Sequence, residues 1–299
     1  MPVRLFRTSD LPGLHAIYDK MRAPVTHGFP VTLEEFEASF AEAPAYLRRP
    51  VTLVSERNGR LTGFIRFGIY NKMADRWSLA NDGNGLILGP FIYPDQTSEG
   101  AELISAALMA ARSAGIHRLC AFDPCEAVGM PTYNGGWCGL SEQLPFIITL
   151  LTTAGFRIRH RELLMTRNAY PVVVSTPFLS PYTLSCTEQD RNRFRIDLLK
   201  ENDPVAMVRY SRMLPARSSH SEAGGIGYID GLSVQPEYQG HSYGRKLLLL
   251  ALSTLREIGC GPVCLTTGGT NHRAQNLYYS EGFQMVDSCL SFIKENGSN

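Results

Sequence analysis

The stretch VQPEYQGHSYGRKLLLL, residues 234–250, decides how the second half of this chain folds. It begins like the end of a strand and continues as an apolar helix, with a proline, two glycines and a serine in between. A helix start exposes unpaired N–H groups at the positive end of the helix dipole, so it can bind an anion. Arg245 and Lys246 add positive charge that opposes the dipole, and a bound polyanion explains that placement. An ordinary turn, in which the glycines only serve geometry, is the alternative.

The composition is that of a globular protein with little net charge. The chain has 299 residues, of which 44% are hydrophobic and 19% charged, and its formal net charge is +1. The length fits two domains, and the neutral balance argues against a nucleic-acid partner. The seven cysteines are odd in number and include no CxxC pair, which favours a reducing cytoplasm over disulfides or a metal site. Without an apolar leader or a run long enough to span a bilayer, no membrane association is predicted.

Strand and helix signals alternate along the chain and occur twice. LGPFIYP in the first half matches DGLSVQP in the second, and TTAGFRI matches YSEGFQM. A hairpin is predicted around Asn58-Gly59 and another with its turn at Asn202-Asp203-Pro204. Three prolines and no helical period follow RELLMTRN, so the boundary falls there. The predicted domains are 1–169 and 182–299, joined by a linker at 170–181.

Two motifs in the second half resemble those of the GNAT superfamily of acyl-CoA-dependent N-acyltransferases. The first is V-x-P-x-x-Q-x-x-S-x-G at 234–244, and the second is N-x-x-A-x-x-L-Y-x-x-x-G-F at 271–283. The resemblance is specific from about residue 183 to 294, and it departs from the family at Ser242, where glycine is usual. It implies an α+β fold of two tandem GNAT-like domains, each a mixed, mostly antiparallel sheet flanked by helices.

The resemblance also implies acetyl-CoA (coenzyme A) as cosubstrate and assigns residues to it. Main-chain groups of Leu232 and Val234 would pair with the pantetheine arm, and the amides of 239–245 would bind the pyrophosphate. Asn271 would contact the arm or the thioester. The predicted cofactor-binding residues are therefore Leu232, Val234, Gln239, Gly240, His241, Ser242, Tyr243, Gly244, Arg245 and Asn271.

The candidate catalytic residues are Tyr278 and Asp230. Tyr278 follows Asn271 by about two helical turns, so both face the cofactor. Direct attack of an amine on a thioester expels a thiolate, and Tyr278 can donate the proton as general acid; a core tyrosine is the alternative. Asp230 shares parity with Leu232 and Val234 along an apolar strand, which suggests a base whose pKa burial would have to raise. A chain of water molecules is the alternative base.

The first half has the same order of strands and helices but lacks the candidate catalytic and cofactor-binding residues. Leu88, Leu144 and Leu151 align with Asp230, Asn271 and Tyr278, and a carboxylate, Glu99, stands near the position that would hold the pyrophosphate. The first half therefore resembles a degenerate GNAT copy, as in tandem relatives. The second half lacks two helices that the family usually has, so the halves are predicted to form one inseparable unit. Tyr133 and Trp137 are candidates for the wall of the acceptor site, and a disordered surface loop is the alternative.

The predicted function is transfer of an acetyl or other acyl group from acetyl-CoA to a primary amine of a small-molecule or amino-acid-like acceptor, by direct attack. One alternative is a non-catalytic acyl-CoA-binding or interaction protein on the same scaffold, which the retained Asn271 and Tyr278 disfavour. Another is an aminoacyl-transferring relative that uses a charged tRNA, which the near-zero net charge disfavours. The expected partner is a small-molecule amine.

Overall fold

The computed structural model describes residues 3–26, 31–41, 47–70, 84–122, 139–168, 180–190, 192–213 and 225–295. The chain divides into two compact units. The first unit is Met1–Glu162 with Asp287–Asn299, and the second unit is Leu163–Val286. Within the described ranges, no helix is both long and apolar enough to cross a membrane.

The first unit contains one mixed sheet with helices packed on it. Its elements are β1 (Val3–Leu5), α1 (Leu11–Arg22), α2 (Leu33–Ala41), β2 (Leu47–Arg57), β3 (Arg60–Tyr70), β4 (Asn84–Ile92), α3 (Thr97–Ser113), β5 (Arg118–Ala121), β6 (Leu140–Ser141), α4 (Pro145–Thr153), the first part of β7 (Arg157–Asn168) and most of β13 (Gln284–Glu295). The strand order is β1-β2-β3-β4-β5-β13, and β6 pairs with β13. The pairs are antiparallel except β4 with β5, which is parallel.

The hairpin predicted in the first half is present. Arg57 pairs with Arg60, and the turn residues Asn58 and Gly59 have φ of 51° and 72°. Asn-Gly is the pair that tolerates two successive positive φ angles, so it sets the register of β2 against β3. Both strands carry apolar residues into the core of the first unit, among them Val54 and Phe64, each fully buried.

The second unit also contains mixed parallel and antiparallel strands, termed the second sheet. Its elements are the second part of β7, β8 (Tyr182–Asp190), β9 (Arg193–Lys200), β10 (Asp203–Met213), β11 (Ile226–Val234), α5 (Tyr243–Glu257), β12 (Pro262–Gly268) and α6 (His272–Ser280). The strand order is β7-β12-β11-β10-β9-β8, with antiparallel pairs from β11 to β8 and a parallel pair between β11 and β12. The mixed α+β class predicted from the sequence is confirmed.

Helix α5 covers one face of the second sheet. Leu247, Leu248 and Leu255 are fully buried on the helix, and Leu198 and Val208 are fully buried on the strands. These leucines recur with the helical period, which explains why the sequence predicted the helix correctly. Because side chains alternate along a strand, the residues between the buried strand positions lie on the face opposite α5.

The second hairpin differs from its prediction. The turn is formed by Glu201 and Asn202, with φ of 51° and 75°, whereas Asp203 and Pro204 already pair with Lys200 and Leu199. The proline is tolerated in β10 because it stands at the beginning of the strand. Strand β8, which extends the sheet beyond β9, was not predicted.

The compact units do not follow the expected linear division at 169 and 182. Residues 163–168, the end of β7, belong to the second unit, whereas residues from Asp287 onward return to the first. The last strand thus completes the sheet of the first unit, where Phe292 pairs with Ala121 and is fully buried. Each unit contains a strand or part of a strand from the other half of the sequence, as expected if the halves are inseparable. That expectation stays a prediction, and the Gly-rich loop with Tyr133 and Trp137 lies outside the described residues.

Candidate active site

A cavity of about 550 Å³ lies at the N-terminus of α5 in the second unit. Strand β11, the turn that follows it, the first turn of α5 and one face of α6 form its wall. Ten of the twelve predicted site residues line it, namely Leu232, Val234, Gln239, Gly240, Ser242, Tyr243, Gly244, Arg245, Asn271 and Tyr278. His241 and Asp230 do not line it. Five lining residues were not predicted: Ser233, Tyr238, Arg273, Ala274 and Leu277.

One side of the cavity is a gap in the sheet. The parallel pairs of β11 with β12 run from Gly227 to Ile229, opposite Val263 to Leu265, although β11 continues to Val234 and β12 to Gly268. Gln235 donates its N–H to the Val205 carbonyl of β10. Because main-chain directions alternate, the main-chain groups of Val234 and Leu232 turn away from β10 and toward the gap. The Val234 carbonyl accepts a hydrogen bond from the Gln239 side chain at 3.0 Å. The groups left for a ligand are therefore the N–H of Val234 and the main-chain groups of Leu232.

The helix start provides backbone N–H groups. The first three amides of α5, from Tyr243 to Arg245, have no intrahelical acceptor because they belong to the first turn. Gly240 and Ser242 have φ of 87° and 61°, which bends the chain around the cavity. A Cβ at Gly244 would lie 3.4 Å from Val234 Cγ2 and 3.9 Å from Leu232 Cδ2, so a longer side chain there would extend into the cavity.

Ser242 occupies a backbone conformation that glycine adopts more easily. Its φ of 61° lies in the left-handed region, and its side chain makes no capping hydrogen bond to α5. A non-glycine residue pays about 1 kcal/mol or more in this region. This strain gives the departure from the family motif a physical cost.

We expect Ser242→Gly to raise the free energy of unfolding by about 1 kcal/mol, because it removes the steric cost and loses no cap. Ser242→Ala is the matched control, since it removes the hydroxyl but keeps the Cβ, and it should bring no gain. Urea unfolding of the three proteins measures the difference. Equal stabilisation by glycine and alanine would contradict the strain.

Two arginines on the cavity wall differ in their partners. Arg245 forms an ion pair with Glu281 and donates to Ser280 Oγ at 2.9 Å, so its charge is already compensated. Arg273 lies two residues after Asn271, the residue that caps α6. It donates to the neutral side-chain oxygen of Gln239. Gln239 therefore ties Arg273 to β11, and Arg273 brings a positive charge to the cavity. Sequence reasoning chose Arg245 for this role and missed Arg273.

Asn271 and Tyr278 lie at the two ends of α6. Asn271 caps the helix, because its side-chain oxygen accepts from the Ala274 N–H at 3.3 Å. Tyr278 lines the cavity with its side chain only 7% exposed, and its ring packs edge-on against Phe283 at 5.8 Å. Burial raises the pKa of Tyr278 to about 12, since desolvation disfavours the phenolate. The phenol is therefore protonated at neutral pH, which is the state that a proton donor requires.

Asp230 does not share a face with Leu232, and the parity assumed from the sequence is wrong. Arg209 pairs with Gly231, whereas the next residue, Tyr210, pairs with Ile229, so Asp230 is the extra residue of a β-bulge. Ile229 and Leu232 both face α5, because they lie opposite Tyr210 and Val208. Asp230 belongs to the other face. Desolvation by burial is the main cause that raises the pKa of Cys264, and the negative charge of Asp230 raises it further.

The corresponding region of the first unit is closed. Leu88, Leu144 and Leu151 are at most 1% exposed and belong to its hydrophobic core. Glu99, in the first turn of α3, accepts from Ser98 Oγ at 2.6 Å, and its carboxylate lies 3.3 Å from Arg57 Nε. The Ser98 hydrogen bond lowers the pKa of Glu99, so a negative charge already occupies the start of this helix.

Comparison with known proteins finds acetyltransferases similar to part of the chain. The family model "Acetyltransferase (GNAT) family" matches residues 161–283. Over 80 residues the chain is 40% identical to a mycothiol acetyltransferase of Nocardiopsis dassonvillei, a match that covers 24% of each chain. Over 71 residues it is 37% identical to N-alpha-acetyltransferase 30 of Saccharomyces cerevisiae, covering 24% of this chain and 40% of the relative. Both matches thus span less than half of the relatives' own length.

Solved structures resemble the whole chain. A tandem GNAT protein from the clavulanic acid biosynthesis pathway aligns over 99% of both chains with a TM-score of 0.71 and 14% identity. A GCN5-related N-acetyltransferase from Sphaerobacter thermophilus aligns over 99% of this chain and 96% of its own, with a TM-score of 0.66 and 11% identity. The family model thus matches only the segment 161–283, and the solved structures show that the whole chain has the fold of these acetyltransferases. Its fold is that of the tandem type, in which the second unit carries the family motifs.

Proposed function

We propose that the second unit transfers an acetyl group from acetyl-CoA to the primary amine of a small-molecule or amino-acid-like acceptor, by direct attack. The observation that carries this proposal is the cavity that joins the N-terminus of α5 to the gap between β11 and β12, with Tyr278 in its wall. The odd number of cysteines and the free state of the five described ones support a reducing cytoplasm as the place of this reaction.

The residues present fit coenzyme A. The amides of 243–245 suit the pyrophosphate because they carry the partial positive charge of a helix N-terminus. The Arg273 guanidinium suits it because it is a cation. Among the described residues, no carboxylate pairs with either group. The Leu232 main chain and the Val234 N–H suit the amide-bearing arm, which can pair with an exposed strand edge. The absence of a Cβ at Gly244 keeps this passage open.

The chemistry needs a proton donor and a proton acceptor. Acetyl-CoA supplies a thioester carbonyl that a neutral amine can attack, with a thiolate as leaving group. Tyr278 is positioned in the cavity wall to donate a proton to that thiolate. Its pKa of about 12 keeps the phenol protonated, and the same desolvation destabilises a thiolate in the cavity, which favours transfer of a proton to it.

The proton acceptor is proposed to be Asp230 or water that Asp230 orients. The bulge turns this carboxylate to the face opposite α5, so the acceptor amine would approach the gap from there while the cofactor enters beside α5. A carboxylate near the gap favours binding of an ammonium group and can then take up its proton.

Calorimetric titration with coenzyme A, followed by a free-thiol assay with acetyl-CoA and a panel of amines, tests this function. We expect one coenzyme A per chain and amine-dependent release of thiol. A chain that binds coenzyme A but acetylates no amine of a broad panel would be a non-catalytic binder, and one that does not bind coenzyme A would refute the proposal outright.

A further inference from the structure

Arg209 lies beside the gap on the face of the second sheet opposite α5. Its neighbours Val208 and Tyr210 are buried in the core on the α5 side, so the Arg209 side chain points to the other face. Arg209 pairs with Gly231, and its Nη2 lies 3.4 Å from the position that a Cβ on Gly231 would take. The guanidinium therefore lies beside Gly231 of the bulge. The next residue of β11, Leu232, lines the cavity.

One nitrogen of the Arg209 guanidinium lacks a partner in the described part of the chain. Its Nε is buried and forms no hydrogen bond there. The residue directly opposite on β9 is another arginine, Arg195, and the nearby carboxylate of Asp197 already binds Arg195 through two hydrogen bonds of 2.7 Å. A buried Nε without an acceptor is costly, and such a group calls for a ligand.

The position of Arg209 defines what that ligand can be. Arg209 and Asp230 share the face from which the acceptor is proposed to approach, and the bulge brings both to the end of the β11–β12 pairing. A guanidinium offers a planar pair of N–H donors that matches a carboxylate. Gly231 leaves the side of the guanidinium open, because any side chain there would stand against it.

We propose that Arg209 binds a carboxylate of the acceptor, so that the acceptor is an amine that also carries a carboxylate, as an amino acid does. This inference rests on the proposed function and narrows its substrate class. Arg209 holds the carboxylate, and the amine of the same molecule lies toward Asp230 and the gap. Arg209 is thus a specificity residue and takes no part in proton transfer.

The test compares amino acids with their carboxamides as acceptors of acetyl-CoA, in the full-length chain. The two series differ in the carboxylate and, through it, in the basicity of the amine, so kcat/KM is compared per neutral amine. We expect the amino acids to have at least about tenfold higher kcat/KM, since an ion pair with Arg209 is replaced by a hydrogen bond to an uncharged carbonyl. Arg209→Gln should raise KM for the amino acids by about tenfold to a hundredfold. It should leave KM for acetyl-CoA unchanged and lower kcat/KM for the carboxamides much less than for the amino acids, and Arg209→Lys should restore part of the loss.

The chain offers a matched control in Arg212. It lies on the same strand, and its Nε is likewise buried without a partner among the described residues, but its parity places it on the α5 side. Arg212→Gln should therefore not change the preference for carboxylates. Thermal melts of all variants show whether each remains folded.

Three results would overturn the proposal. The first is equal use of amino acids and carboxamides by the wild type, and the second is an equal loss for both series in Arg209→Gln. The third applies if no amine of either series turns over. The chain loaded with coenzyme A is then titrated with N-acetylated amino acids and with their carboxamides, and equal affinity for the two would be the third overturning result. Acetylation of amines that lack a carboxylate would leave the proposed function standing, whereas failure to bind coenzyme A would remove it.

Discussion

Replacing Gly244 with glutamate is expected to weaken binding of coenzyme A by at least about a hundredfold. The new side chain would extend between β11 and α6 into the cavity, because a Cβ there already lies within 4 Å of Val234 and Leu232. A carboxylate about 5 Å from a phosphate costs roughly 3 kcal/mol per unit charge at an effective dielectric constant of about 20. That energy corresponds to a factor of more than about 100 in the dissociation constant.

Gly244→Gln separates charge from bulk. Glutamine has nearly the same size as glutamate and no charge, so it measures the steric part alone. We expect calorimetry to give the order wild type, glutamine, glutamate, with the larger step between the last two. Added salt should narrow the step between them, because ions screen the repulsion.

Titration of the wild type also tests the asymmetry of the two units. The first unit has Glu99 at the start of α3 and buried leucines where the second unit has Asp230, Asn271 and Tyr278. One coenzyme A per chain is therefore expected. A stoichiometry of two, or wild-type affinity in Gly244→Glu, would mean that the cavity at α5 is not the binding site.

Much of the cavity could be predicted because its residues are close in sequence. The turn at 239–244 and the helix that follows are local structure, and the helical period alone places Asn271 and Tyr278 on the same face of α6. Local signals of this kind survive in any tertiary context. Eight of the ten lining residues found from the sequence belong to such segments, and the other two, Leu232 and Val234, lie at the end of the strand that leads into the turn.

The misplaced residues depend on partners that are distant in sequence. The face of Asp230 is set by the register of β11 against β10, where Arg209 pairs with Gly231 and Tyr210 with Ile229. A glycine inside a strand is a signal for a bulge, but it does not say which residue is extra. Arg273 was missed because its role rests on contact with Gln239, 34 residues away. The apolar pattern of the last strand fits the core of either unit, so the sequence did not show that this strand belongs to the first unit.

Tyr278→Phe is expected to lower kcat by about a hundredfold or more, the contribution typical of a general acid. The ring should keep its edge-on packing against Phe283, because only the hydroxyl is removed. KM for acetyl-CoA should therefore change little, and the loss should appear in the chemical step. Steady-state kinetics with an accepted amine, together with a single-turnover measurement, separates chemistry from product release.

Tyr279→Phe is the matched control for this variant. Tyr279 is the next residue of α6, but it is 48% exposed and does not line the cavity. The same chemical change there should leave kcat and KM at their wild-type values. Loss of activity in both variants would indicate damage to the helix and not the absence of a proton donor.

The pH dependence assigns the two proton-transfer roles. With a pKa of about 12, Tyr278 keeps its proton far above neutrality, so its ionisation should not cause a fall in kcat at moderately alkaline pH. Tyr278→Phe should therefore lower the whole profile without moving its acidic limb. Asp230→Asn should instead shift that limb, because a base must lose its proton before it can act. Wild-type turnover in Tyr278→Phe, with chemistry shown to limit the rate, would assign the proton to water and leave Tyr278 as a packing residue of the cavity wall.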